Sequence, residues 1–375
     1  MKILYTNFHP RNGGGHVTYV LNLARALAGE HEIGVAVPGT SRLYRYARAV
    51  PGLQVTDMRY ATRLSSWFGD RAALRRLLVQ GDYDIVHVNG SADHKQVMLA
   101  TIGMRRRPRI VFTKHNDHPL ASIGHRLRAR HATDRVIAVS DYVRGLLEQP
   151  GSPYRRLPID TIRHGIDTEY FRPPSPQERD ALRERHFGPD WRGKLLLGSS
   201  GGTDYDKGWL DLVDAAGSLP PELRQRIRIL VAGDPPSEAK LARVRQAGMQ
   251  DQMVFPGLLD DVRPALAACQ AGYVLSYREA LSYACRELMA TGLPVLASDA
   301  GGLPENIRPG VDGWVVPARD VPAIARVLRV MLEQPDEVAA MGARAREKSV
   351  REFGLADFAR ATLDVYRQAL GQGPR

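Results

Sequence analysis

Residues 276–302 read SYREALSYACRELMATGLPVLASDAGG, and their reading decides the fold. Just ahead of them, Ala271 to Leu275 is an apolar run short enough for a buried parallel strand, which delivers Ser276 and Glu279 to its carboxyl end. Leu281 to Met289 then has helical spacing. Ser282 suits the cap, Gly292 a left-handed stop, and Pro294 the opening of a second strand to Ser298, before a loop of small residues at Asp299 to Gly302. The unit is β-α-β.

Ligands of open parallel sheets sit beyond the carboxyl ends of the strands, so Glu279 in the loop and Glu287 in the helix can face one site. A carboxylate accepts two sugar hydroxyls without reacting with them, and a helix amino terminus offers backbone N–H groups to a phosphate. That chemistry suits a nucleotide-sugar. The same pair of glutamates would serve equally as solvated helix residues, so spacing alone does not decide between them.

Other segments decide it. Met1-Lys2-Ile3-Leu4 precedes Gly13-Gly14-Gly15; Val136 to Ser140, His164-Gly165-Ile166-Asp167, Asp206-Lys207-Gly208, Val231 to Asp234 and Val254 to Gly257 follow in order. With Glu279-x7-Glu287 and the Leu288-Met289-Ala290-x-Gly292-x-Pro294-Val295 that follows, nearly the whole chain resembles the retaining GT-B glycosyltransferases of family 4, such as those of lipopolysaccharide core and surface polysaccharide synthesis.

The resemblance implies an α/β fold of two Rossmann-like, doubly wound domains facing a cleft. Residues 1–173 would form the acceptor-side domain, joined by a last helix at about 355–375 that crosses back, and 174–354 the donor domain. A sugar would move with retention from a nucleoside diphosphate, UDP by preference, to a lipid-linked or oligosaccharide acceptor. Glu279 would hold sugar hydroxyls and Glu287 the ribose. Lys207, with amides near Gly13, Gly14, Gly15 and Ser282, would stabilise the departing diphosphate; Gly202, Gly257 and Leu281 complete the donor contacts. His115, at a strand end, would work beside sugar and acceptor, with His118 and His16 as weaker candidates. No cofactor and no metal are expected. The family's usual arginine before Lys207 is replaced by Ser200-Gly201-Gly202, whose amides, or Arg278, would substitute. His164 stands where the family usually has asparagine.

Independent of the resemblance, the second strand ends in Val35-Ala36-Val37-Pro38-Gly39 with no acidic residue to hold a ribose, which argues against a nicotinamide enzyme. The strand candidates are Leu4 to Phe8, Glu32 to Pro38, Asp84 to Asn89, Arg109 to His115, Arg135 to Ser140, Lys194 to Ser199, Ile227 to Ala232 and Met253 to Phe255. Asp82-Tyr83-Asp84 and Asp204-Tyr205-Asp206 spell a D-x-D metal motif. The first precedes a strand instead of ending one, and the second lies beside Lys207, so neither is read as a metal site.

The 375 residues carry a formal charge of +11 and are 43% hydrophobic, the balance of a folded protein with an anionic partner. With no zinc-finger spacing or aromatic RNA-binding strand, nucleic acid is not expected, and an anionic membrane surface is. Between Thr40 and Gln80, Arg42, Tyr44, Arg45, Tyr46 and Arg48 interleave aromatics with guanidinium groups. Arg63, Trp67, Phe68, Arg71, Arg75 and Arg76 suit an amphipathic surface helix whose Trp67 and Phe68 enter either the lipid boundary or the core. Without a leader or a spanning run, the chain is expected on the cytoplasmic face of the plasma membrane, with Cys269 and Cys285 as reduced core thiols. Two other readings remain: a nucleotide-sugar epimerase on the same fold, recognised by turnover of donor alone, and a basic nucleic-acid binder, recognised by salt-steep duplex binding.

Overall fold

The computed structural model describes residues 1–11, 14–60 and 64–371, without the side chains of residues 64–68. Gly13 and Arg63, and the side chains of Trp67 and Phe68, therefore lie outside the described residues. The chain divides into two compact units, residues 1–165 with 355–375, and residues 166–354.

Short apolar runs bounded by Gly, Asp and Pro form the strands of both units, as burial on both faces of a parallel sheet requires. In the first unit these are β1 (Lys2–Thr6), β2 (Glu32–Val37), β3 (Leu53–Asp57), β4 (Ile85–Val88), β5 (Arg109–Lys114), β6 (Arg135–Ala138) and β7 (Ile159–Thr161). They pair in the order β3-β2-β1-β4-β5-β6-β7, all parallel. The order reverses between β1 and β4, so the loops after these two strands border a crevice, the place where doubly wound sheets bind ligands.

The second unit holds β8 (Leu195–Ser199), β9 (Ile227–Val231), β10 (Met253–Val254), β11 (Ala271–Val274), β12 (Val295–Ser298) and β13 (Gly313–Val316). Their order is β10-β9-β8-β11-β12-β13, again parallel, with the reversal between β8 and β11. Leu197, Ile229, Tyr273 and Leu296 from its strands close a core with Trp209, Leu212, Ile324 and Leu328 from its helices. This is the fold the chain pattern leads one to expect: two Rossmann-like α/β domains.

The basic stretch behaves differently from its composition. In the helix Arg42–Arg48, Arg42 donates to the Tyr46 hydroxyl at 2.6 Å, and Arg45 and Arg42 both lie over the Tyr46 ring, so the interleaved groups pair with one another. In the helix Leu64–Gly81, Arg71 donates to the Leu99 carbonyl at 3.0 Å. Arg75 donates to the carbonyls of Ala100 and Ile102 at 2.8 and 2.6 Å. These two arginines cap the helix Ser91–Thr101, whose last carbonyls have no partner within the helix. Among the described residues no helix is long and apolar enough to cross a membrane.

Candidate functional site

In the second unit the loops after β8 and β11, on either side of the strand-order reversal, carry the charged groups. Lys207 lies in a single 3-10 turn after β8, and its Nζ is 3.6 Å from Glu279 Oε2 in the loop after β11. The Tyr277 amide donates to the Asp206 carbonyl at 2.8 Å, so the two loops are stitched through backbone as well as through charge. Gly208 makes this possible. Its φ is 67°, and a Cβ there would lie 1.9 Å from the Leu275 carbonyl oxygen, so only glycine lets the turn sit against the end of β11.

Ser282 then starts the helix Tyr283–Ala290, its Oγ accepting from the Cys285 amide at 3.2 Å. Its φ of 88° is rare for a residue with a Cβ, and such strain collects at functional turns. The helix therefore begins two residues later than its spacing predicts. Glu287, on this helix, accepts from Ser200 Oγ at 3.3 Å. Burial raises its carboxyl to about 7, with the Ser200 hydrogen bond acting the other way. Leu281 is fully buried and its carbonyl accepts from Asn306 Nδ2 at 2.5 Å, so side chain and carbonyl are both committed to structure. Gly202 and Gly257 both have left-handed φ, with open space where a Cβ would be. The Gly257 carbonyl accepts from the Gly233 amide at 3.0 Å, and Gly233 lies against the Gly202 Cα. Arg278 is exposed.

The first unit gathers histidines where its own strand order reverses. Gly14 precedes and Gly15 opens the helix Gly15–Leu27, both exposed. One position on, the His16 ring is 4.6 Å from that of His9 and 4.3 Å from that of His115, centroid to centroid. The Tyr19 ring stands edge-on to His115 at 4.5 Å, and His164, the departure from the family pattern, lies 6.1 Å from it. His118 is exposed; its carbonyl accepts from Lys114 Nζ at 2.9 Å.

Hydrogen bonds fix which nitrogen of His115 carries the proton. Asn89 Nδ2 donates to the carbonyls of Thr6 and His87, at 3.1 and 3.3 Å, which leaves Asn89 Oδ1 as an acceptor. His115 Nε2 lies 2.8 Å from that oxygen and must donate to it. Nδ1 then bears the lone pair. Burial and the neighbouring His16, His164, His87 and His9 hold the imidazole well below its usual pKa, so it is a neutral base. Asn89 itself is fixed by buried Asp93, whose Oδ2 accepts from the Asn89 amide at 2.9 Å and from Thr6 Oγ1 at 2.8 Å. Sequence reading placed Asn89 at a strand end without a role. Ser200 it read for its backbone amide and not for its hydroxyl, because each role depends on a partner remote in the chain.

Asp82 and Asp84 are both held by Arg106, the latter at 2.9 Å. Among the described residues no group of three or more His, Cys, Asp or Glu side chains is placed to hold a metal. Cys269 and Cys285 are free and buried.

Residues 184–348 match the family model Glycosyl transferases group 1, and residues 13–170 match Glycosyltransferase Family 4. Both halves are glycosyltransferase domains. The 2-deoxystreptamine glucosyltransferase of Streptomyces kanamyceticus is 29% identical over 258 residues, 68% of this chain and 65% of that protein. The GDP-mannose-dependent alpha-(1-6)-phosphatidylinositol monomannoside mannosyltransferase of Mycolicibacterium smegmatis is 27% identical over 364 residues, 92% of each chain. Among solved structures, Anabaena HepE in complex with UDP superposes with a TM-score of 0.82 at 19% identity, covering 98% of this glycosyltransferase and all of that chain. The fold of this glycosyltransferase is thus GT-B.

Proposed function

We propose that this glycosyltransferase moves a hexose from a nucleoside diphosphate sugar, UDP by preference, with retention, to a lipid-linked saccharide such as a lipopolysaccharide core. The observation that carries the donor reading is the pairing of Lys207 with Glu279 at the strand-order reversal, with Glu287 held by Ser200 in the same unit. The Lys207 ammonium lies 3.6 Å from the Glu279 carboxylate. A diphosphate competes for it, which frees Glu279 for sugar hydroxyls while Glu287 takes the ribose.

In the reaction the bond from the sugar C1 to the phosphate oxygen breaks and its electron pair leaves on the diphosphate. Lys207 and backbone N–H groups meet that charge as it builds. The acceptor hydroxyl forms the new bond to C1 and its proton passes to the departing phosphate oxygen. His115, neutral with its Nδ1 lone pair unprotonated, serves the sugar and acceptor hydroxyls as a hydrogen-bond acceptor. The mannosyltransferase relative acts, by its name, on a lipid-linked mannoside, which supports a lipid-carried acceptor here, as does the net charge of +11.

Calorimetry tests the assignment. Glu287→Ala is expected to weaken free UDP binding at least tenfold, whereas Glu279→Ala, which removes the carboxylate that competes for Lys207, leaves UDP affinity unchanged or higher but weakens the intact UDP-sugar. Unchanged UDP affinity in Glu287→Ala removes its role. Because Lys207 and amides supply the positive charge, transfer is expected to persist in excess EDTA, and a complete loss restored by a divalent ion would overturn the metal-free mechanism.

A further inference from the structure

The first unit carries an apolar groove of about 480 Å³ lined by Met98, Leu99, Thr101, Ile102, Leu127 and His131, with Arg107 at its edge. Leu127 and His131 belong to the helix Ile123–His131, on which Ile123, Leu127 and His131 recur every four residues and so form one stripe. Ile123 stands one helical turn before Leu127 on that stripe. These apolar side chains are unusually open to water: Ile123 is 74% exposed, Ile102 58% and Leu127 45%. Together they make a contiguous apolar surface, which needs a partner more than scattered exposed residues do.

Its surroundings say which partner. Arg126 and Arg130 sit three positions after Ile123 and Leu127 on the same helix, and Arg105 three after Ile102; all three are exposed and make no ion pair among the described residues. No lining residue is acidic, and Asp134 nearby is taken by Arg107 at 3.1 Å. The helix end that borders the groove is prepared for a dry contact as well. The carbonyls of Ala100 and Ile102, costly to bury without a donor, already accept from Arg75. An apolar stripe edged by free guanidinium groups, with satisfied backbone beneath it, complements the acyl boundary and phosphate layer of an anionic bilayer.

We propose that this glycosyltransferase docks on an anionic lipid bilayer through Ile102, Ile123 and Leu127, with Arg105, Arg126 and Arg130 on the headgroup phosphates. The inference deepens the proposed function by locating its lipid partner, and it moves the docking face from Arg71 and Arg75, which are committed to carbonyls, to the neighbouring groove.

Co-sedimentation with phosphatidylglycerol and phosphatidylcholine vesicles tests it, with UDP calorimetry on each variant to show that the donor site is intact. The wild type is expected to bind phosphatidylglycerol and be released by salt. Ile123→Glu with Leu127→Glu, and separately Arg126→Glu with Arg130→Glu, are each expected to lower partitioning at least tenfold with UDP affinity unchanged, while Arg76→Glu, at an exposed position on the helix Leu64–Gly81, lowers it less than threefold. If the apolar pair disturbs folding, the arginine pair on the solvent side still decides. Failure of the wild type to bind, equal binding to both lipids, or unchanged partitioning in the arginine pair would overturn the proposal. So would self-association that these substitutions abolish in the absence of vesicle binding. Loss of UDP binding in the wild type would instead sink the donor reading and leave the docking result to stand on its own.

Discussion

At the scale of single residues, the position of the proton on His115 turns on a neighbouring side chain. Asn89 selects the His115 tautomer, because its amide donors are spent on Thr6 and His87 and only its oxygen is left for Nε2–H. Asn89→Leu would leave that N–H without a partner, a loss worth about 1–3 kcal/mol where the group is buried. The expected result is a mixture of tautomers in the 15N spectrum of the His115 imidazole, whereas wild type shows a protonated Nε2 and an unprotonated Nδ1. Asn89→Asp keeps an acceptor and is expected to retain the wild-type tautomer while raising the imidazole pKa. An unaltered spectrum in Asn89→Leu would mean that packing by Tyr19 and His16, and not the hydrogen bond, sets the proton.

Among the elements, the turn after β8 and the loop after β11 are held together by a glycine with no room for a side chain. Gly208→Ala would force a Cβ into the Leu275 carbonyl in addition to a left-handed φ, whereas Gly202→Ala meets only the left-handed φ, with open space around it. Thermal melting should show a cost of at least about 3 kcal/mol for the first and about 1–2 kcal/mol for the second. Equal losses would show that the close approach relaxes freely. Most strands could be read from the sequence to within a residue or two, since runs buried on both faces announce themselves by hydrophobicity: Lys194 to Ser199 was expected and Leu195–Ser199 found. β1 was expected at Leu4 to Phe8 but ends at Thr6, because Asn7 turns the chain by accepting from the His9 amide at 3.0 Å. The family resemblance implied that Glu279 and Lys207 serve one donor site, but not that they pair with each other. The bonds of Ser200 to Glu287 and of Arg75 to helix-end carbonyls were not legible either, because the partners are far apart in the chain and no local pattern encodes them. For the same reason composition alone made Arg71 and Arg75 look free.

For the whole molecule, the buried titratable groups set opposing pH dependences whose balance can be worked out. His87 and His94 are completely buried, and burial holds each at about 3. His16 is lowered to about 3, His125 to about 4 and His115 well below its usual value. Such groups stabilise the fold only while the unfolded chain is also neutral. As pH falls below about 6.5 the unfolded state takes up protons that the folded state refuses, and stability is lost. Asp93 and Glu287 act in the other direction, since burial raises both to about 7, so the folded state binds protons first and gains stability as pH falls through that value. Between about pH 8 and 6.5 proton uptake by the two carboxyls in the folded state is offset by the first protonation of the imidazoles in the unfolded chain, and stability should change little. Below it five imidazoles oppose two carboxyls. Allowing for the partial exposure of His16 and His115, the net difference is about one to three protons, or about 1.4–4 kcal/mol per pH unit. Urea denaturation across this range should therefore show a plateau between about pH 6.5 and 8 and a steep fall toward about pH 5. Stability that is flat or still rising at about pH 5 would mean that the imidazoles are protonated within the fold at that pH and that burial does not hold them down.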